Sequence, residues 1–206
     1  GGGNAYVGAG LLVDCTIQSN NSTKTPCGLL VTGTGIVQNC TIASHKQAQN
    51  AVEIGGGLLT NCTIAANSIS GIGMYQYAPG TTSLVTHCTI AGNSGGGVRL
   101  NNMNASFPAL ATISYRNCII SSNAPGGPGV HFVGNPPNVA ATFENCVIVT
   151  NGYGSSDWGC GIYLAGANAT NILFRNCLIA NNKSGYNQSA HGGGVTMLAG
   201  VLDNCT

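Results

Sequence analysis

Eight cysteines recur in one short context along this chain of 206 residues, and the recurrence leaves few folds open. They stand in V-D-C-T at Cys15, Q-N-C-T at Cys40, T-N-C-T at Cys62, T-H-C-T at Cys88, R-N-C-I at Cys118, E-N-C-V at Cys146, R-N-C-L at Cys177 and D-N-C-T at Cys205, with gaps of 25, 22, 26, 30, 28, 31 and 28 residues. Two residues after each cysteine comes isoleucine in all seven complete copies: Ile17, Ile42, Ile64, Ile90, Ile120, Ile148 and Ile179. Five residues after it comes asparagine in six of the seven, His45 being the exception. Further on lies a Gly-rich step and a short V-x-L element, clearest at Gly95 to Leu100 and Gly192 to Met197.

A motif that stays fixed while its spacing drifts describes coils joined by loops of free length. Paired-helix arrays and coiled coils hold their period more tightly. Each repeat contains three short segments of alternating apolar residues, and alternation of period two means strands. The first is V-x-L. The second ends three residues before the cysteine, in the column Leu12, Val37, Leu59, Val85, Tyr115, Phe143, Phe174 and Leu202. The third is C-T-I. Three strands in about 27 residues predict a solenoid of parallel strands. The expected fold is all-β: a right-handed parallel β-helix with three sheets and about eight coils of 22–31 residues. It is expected to fill residues 1–206 as one domain, open at both ends.

Between the second and third segments the alternation breaks, so the chain must bend there. The residue at the break is Asn39, Asn61, Asn117, Asn145, Asn176 or Asn204 in six coils, with Asp14 and His87 in the other two. These types tolerate the left-handed conformation best among non-glycine residues. Stacked coil on coil, their amides are expected to form a packed ladder, each donating to one neighbour and accepting from the other.

The runs N-C-T-I-A-G-N-S-G-G-G-V-R-L and N-C-L-I-A-N-N…G-G-G-V-T-M-L resemble the repeats of bacterial surface and secreted right-handed parallel β-helix proteins. These include the polymorphic outer-membrane and autotransporter-passenger type, built on the pectate-lyase-like scaffold. The resemblance spans the whole chain. It implies the fold, and an extracellular or cell-surface location.

The eight repeat cysteines share parity with the isoleucines, so they are expected to point inward as a column of reduced thiols, since free cysteine behaves as a small buried hydrophobe. Stacked disulfides and a metal site are the alternatives. Strand spacing of about 4.8 Å permits the first by Cα distance alone, while no zinc-type spacing favours the second. Cys27 and Cys160 lie outside the column, in equivalent Gly-rich steps too far apart to bond each other; they occupy a place for a small residue or a link to another chain.

Composition narrows function. Charged residues are 5% of the chain and net charge is +1, so no basic patch exists to collect nucleic acid. No apolar run is long enough to span a membrane as a helix. Only five carboxylates occur: Asp14, Glu53, Glu144, Asp157 and Asp203. By repeat register no two converge, as glycoside hydrolysis or calcium-assisted lysis would need. No catalytic function and no cofactor is expected.

One outward column carries chemistry nonetheless. The middle residues of V-x-L include Glu53, Tyr75, Arg99, His131 and Tyr163, expected side by side as a candidate ligand strip. Tyrosine rings can stack on sugars and arginine can hold carboxylates; the plain alternative is a varied outer face of β-formers. In the polysaccharide-cleaving relatives implied by the resemblance, the equivalent strand carries the cleft. The leading expectation is a structural module that associates head to tail with itself as a filament, or forms part of a long stalk. Its exposed strands from Gly1 to Leu12 would then meet the coil from Leu198 to Thr206 of a neighbour, because both ends stop inside a coil. A carbohydrate-binding or adhesive module is the alternative, and a polysaccharide lyase or glycoside hydrolase a third. Trp158 is a contact candidate on a loop, and Asn104, Asn168 and Asn187 are the better-placed glycosylation motifs.

Overall fold

The computed structural model describes residues 5–23, 26–74, 80–100, 110–123, 127–132, 139–152, 161–165, 169–184 and 193–206. Within them the chain winds as a parallel β-solenoid. Third strands of three residues each, Thr16–Gln18, Thr41–Ala43, Thr63–Ala65, Thr89–Ala91, Ile119–Ser121, Val147–Val149 and Leu178–Ala180, stack into a seven-stranded parallel sheet. All their pairs are in register, isoleucine on isoleucine from Ile17 to Ile179. Six full turns thus separate the first from the last, rather than about eight.

The other two strand columns join in one fourteen-stranded sheet instead of lying in two. The join is made in the second and third coils, where no loop is inserted between the V-x-L element and the segment before the cysteine. There Leu29–Gln38 and Asn50–Thr60 run through as single long strands. Glycines let them bend while still pairing: Gly56 and Gly57 have φ of 128° and 81°, and a Cβ on Gly56 would lie 2.6 Å from the backbone N of Gly33. Elsewhere the first strands, such as Val98–Leu100, Val130–Phe132 and Ile162–Leu164, are separate from the second strands, such as Ala111–Arg116, Val139–Glu144 and Ile172–Arg175. The second-strand column has the register read from the sequence, Leu12 on Val37 on Leu59 on Val85 on Tyr115 on Phe143 on Phe174 on Leu202.

Each third strand is short because two left-handed residues bracket it. One precedes the cysteine, from Asp14 (φ 53°) to Asn204 (φ 50°). The other stands four residues after it: Ser19, Ser44, Ala66, Gly92, Ser122, Thr150 and Asn181, all with φ between 53° and 64°. The first bend is legible in its Asn, Asp and His. The second carries Ser, Ala, Gly, Thr and Asn, and a mixture so varied gives no sequence signal. Thr150 is the costly member, since a β-branched residue at positive φ is a true outlier.

Side chains from all three strand columns fill the interior, which is apolar and closely stacked. Tyr115, Phe143 and Phe174 lie face to face at centroid distances of 4.6 and 4.5 Å with ring planes 3° and 7° from parallel. Burying these rings removes large apolar areas from water, each aromatic worth about 2–3 kcal/mol at the usual area coefficient. The Tyr115 hydroxyl is buried with no hydrogen-bond partner, so this coil accepts an orphaned polar atom for the sake of the stack. Among the described residues, no helix is long and apolar enough to cross a membrane.

Candidate functional site

The middle residues of the first strands point away from the core, and their pairing gives a single outward column: Tyr6, Leu30, Glu53, Gly73, Arg99, His131, Tyr163 and Thr196. Glu53, Arg99, His131 and Tyr163 are therefore in the expected strip, but Tyr75 is not at its place. Ile72 and Met74 turn inward, so Gly73 holds the position between Glu53 and Arg99, and Tyr75 itself lies outside the described residues. The missing side chain has a use. A Cβ on Gly73 would come within 2.2 Å of Nδ2 of Asn50, so the Asn50 amide occupies that height of the column. From there Nδ2 donates to Oε1 of Glu53 at 3.2 Å. Asn50 joins the strip without belonging to its sequence pattern; only the glycine at 73 hints that something crosses there.

Outward positions on a strand are ordinarily wet, yet parts of this column are covered. Glu53 is 2% exposed and Tyr163 4%. Three polar atoms in the strip are buried without a partner: Oδ1 of Asn50, Nε2 of His131 and Oγ1 of Thr196. Burial, with the Arg99 charge as a lesser contribution, pulls the His131 pKa down to about 4, so its imidazole is neutral near pH 7. Burial also raises the Tyr163 phenol. The His131 and Tyr163 rings lie 5.6 Å apart, tilted by 45°. A neutral imidazole, a phenol, an amide and a guanidinium in one line can hydrogen-bond and stack. The described carboxylates are held separately: Asp14 accepts from Asn39, Glu53 from Asn50, while Glu144 and Asp203 pair with Arg116 at 3.3 Å and Arg175 at 2.8 Å. Among the described residues no group of three or more His, Cys, Asp or Glu is placed to hold a metal ion.

The cysteine column lies where parity puts it. Cys40, Cys62, Cys88, Cys118, Cys146 and Cys177 are buried, Cys15 and Cys205 half-buried, and all eight are free thiols. Parity alone does not explain why the residue is cysteine. The geometry adds a reason: each buried thiol lies between two backbone carbonyls at the bend. Cys118 reaches the carbonyl of Arg116 at 3.3 Å and that of Val85, one coil back, at 3.6 Å; Cys177 reaches Arg175 at 3.4 Å and Phe143 at 3.5 Å. A small apolar group with one weak donor suits that place. Burial pushes the Cys40 thiol up. The neighbouring Cys146 thiol and then burial push the Cys177 thiol up. Cys27 is also buried, its thiol donating to the carbonyls of Asn20 at 3.1 Å and Lys46 at 3.0 Å. Cys160, Trp158, Asp157, Asn104, Asn168 and Asn187 lie outside the described residues.

Asparagine makes two ladders. The expected one exists but is exposed, not packed. Asn39 donates to Asp14 at 3.0 Å, Asn61 to Asn39 at 2.8 Å, Asn176 to Asn145 at 3.3 Å and Asn204 to Asn176 at 2.7 Å, while Asn117 meets the His87 ring at 3.2 Å. A left-handed bend turns the side chain outward at the corner, which is why it is wet. The second ladder is made by the asparagines five residues after the cysteines: Asn67, Asn93, Asn123 and Asn151 are wholly buried and Asn182 is half-buried. Their recurrence is visible in the sequence, but their burial is not.

Residues 4–159 match a family model described as a right-handed β-helix region. The chain belongs to the right-handed β-helix family. No curated protein and no solved structure matches it. As a right-handed β-helix protein it shares a scaffold whose repeats encode stacking, and both asparagine ladders and the thiol column are parts of that stacking.

Proposed function

We propose that this chain is an extracellular structural β-helix module at a cell surface, stacking end to end with itself into a filament or forming one stretch of a long stalk. The bacterial polymorphic outer-membrane and autotransporter-passenger proteins, which its repeats resemble, are the guide to that setting. The observation that carries the reading is the unbroken buried amide ladder from Asn67 through Asn93, Asn123 and Asn151 to Asn182. Its bonds run along the axis and repeat from coil to coil, as do the thiol and aromatic columns. Such a design gives stiffness and length rather than one distinctive coil. A surface with few charges offers little repulsion against association. The scattered engagement of the carboxylates supports a non-catalytic role.

Imaging of the native polypeptide by electron microscopy, with its intact mass, tests this. Rods lengthening by about 4.8 Å per coil are the expected result. Compact particles that release reducing or unsaturated sugars from polysaccharide would replace it with an enzyme.

A second reading rests on the strip. Covered outward residues with unpartnered polar atoms at Asn50, His131 and Thr196 suit a carbohydrate-binding or adhesive surface. A glycan array with the wild type and with Arg99→Ala and Tyr163→Ala variants decides it: binding lost in both variants supports adhesion, and no binding by the wild type removes it.

A further inference from the structure

His45 occupies a rung of the buried amide ladder, five residues after Cys40, where the following coils have asparagine. It imitates the amide on one side. In the regular rungs, Oδ1 accepts the backbone N–H one coil back, as Asn123 does from Asn93 at 3.0 Å, and Nδ2 donates to the isoleucine carbonyl, as Asn123 does to Ile90 at 2.9 Å. At His45, Nδ1 accepts the N–H of Asn20 at 3.1 Å. That bond requires Nδ1 without a proton, so the neutral ring carries its proton on Nε2. The Nε2 atom is buried and has no hydrogen-bond partner. It faces Gly28, where a Cβ would lie 2.5 Å away. The ring is wholly buried.

We propose that His45 is an acid-sensitive rung, which loosens the joint between the coil of Thr16–Gln18 and the coil of Thr41–Ala43 when it takes up a proton. A second proton must go to Nδ1, placing two N–H donors against each other at Asn20. It also leaves a cation with no counter-charge among the described residues. The titratable and charged groups on the surrounding elements are Cys27, whose thiol is turned to the carbonyls of Asn20 and Lys46; Lys46, which is exposed; and Glu53, which faces the outward strip and bonds Asn50. Burial holds the His45 pKa below its ordinary value, against a smaller opposing effect of the Ile17 and Asn20 backbone, and no neighbouring charge takes part. The folded pKa is depressed for a base, so the folded state binds fewer protons than the opened one. Stability at this joint is complete above the ordinary histidine range and is lost as pH falls through that range towards the folded pKa. On the other face the backbone of His45 keeps the regular bonds, its N–H donating to Oδ1 of Asn67 at 2.9 Å and its carbonyl accepting from Ser68 at 2.9 Å, while the side-chain bond that a rung asparagine makes to the next rung is lacking. The opening is therefore one-sided.

Hydrogen exchange at the amides of Ser19, Asn20 and Lys46, corrected for intrinsic rates, tests the proposal in the full chain. Between neutral pH and the mid-fives, protection should fall by up to about tenfold per pH unit, while the amides of Asn93 and Asn123 keep theirs. The His45→Asn variant, which restores the rung, should remove the fall. Nitrogen NMR of the ring should find Nδ1 unprotonated at neutral pH. Equal acid loss in wild type and variant, no acid loss in the wild type, or a ring titrating at or above the ordinary histidine range would each overturn the proposal.

Discussion

The two asparagine ladders have the same chemical group, the same coil-to-coil repeat and opposite surroundings. Inside, Asn93, Asn123 and Asn151 each use both amide hydrogens and both acceptor sites. Asn123 accepts from both the N–H and Nδ2 of Asn93, and donates to Ile90 and to Asn151. Outside, each amide makes at most a bond up and a bond down, and the chain of bonds lapses between Asn61 and His87 and between Asn117 and Asn145. The outer ladder also accepts Asp14 and His87, whereas the inner one accepts only His45, with one ring nitrogen left unpaired. Occupancy follows demand. A buried position fixes two donors and two acceptor sites at once; a bend in water fixes only a backbone angle. The inner ladder is thus a matter of hydrogen-bond satisfaction and the outer one of φ.

The largest test of that division is Asn123→Leu. It strands the N–H and one Nδ2 hydrogen of Asn93 in the core and removes the amide's bond to the carbonyl of Ile90. Each orphaned group costs about 1–3 kcal/mol, so a loss above about 3 kcal/mol in a denaturant melt is expected. Asn145→Val should cost less, about 1–3 kcal/mol, because it forces a β-branched residue into φ of 54° without opening the core. A loss from Asn145→Val matching that from Asn123→Leu would dissolve the distinction between the ladders.

The second set of bends sharpens it from the other side. Thr150 holds φ of 54° at an exposed corner next to the buried rung Asn151. Thr150→Gly should stabilise by up to about 1 kcal/mol, the relief of the left-handed strain exceeding the entropy of the added glycine. The urea midpoint reads this directly. A lower midpoint would mean that the short bond from the Thr150 hydroxyl to the Val149 carbonyl, at 2.7 Å, outweighs the strain.

Much of this could be read beforehand. Inward columns follow from parity, so Ile17 to Ile179, Leu12 to Leu202 and the cysteines lie where the alternation puts them. Outward residues are harder. Alternation says that Glu53 and Tyr163 leave the core, but not that they end up buried. The sequence pattern puts Tyr75 where the strip holds Gly73, because a glycine in a strand leaves no apolar mark by which to fix its register. The two ladders show the same limit. Both recur in the sequence as Asn at a fixed offset from cysteine, and recurrence reports position in the coil without reporting depth. Depth depends on which way a left-handed residue turns the next side chain. At the first bend the asparagine is itself the left-handed residue and points out. At the second it follows the left-handed residue and points in.

The smallest effect expected is that of Asn145→Gly. The substitution deletes the side-chain bond from Asn176, 3.3 Å long and exposed, which water replaces. It removes the left-handed penalty that asparagine only partly escapes, and adds the conformational entropy of a glycine to the unfolded chain. These contributions are each about 0.5–1 kcal/mol and opposed in sign, so the net change should stay within about 0.5 kcal/mol. Measured beside Asn145→Val, it separates the two roles an outer asparagine could play. Valine fails both the angle and the amide, whereas glycine keeps the angle and fails the amide alone. If Asn145→Gly cost more than about 1 kcal/mol, close to a full neutral hydrogen bond, the outer amides would be a cooperative ladder in their own right, and φ would no longer suffice to explain why asparagine recurs at that corner.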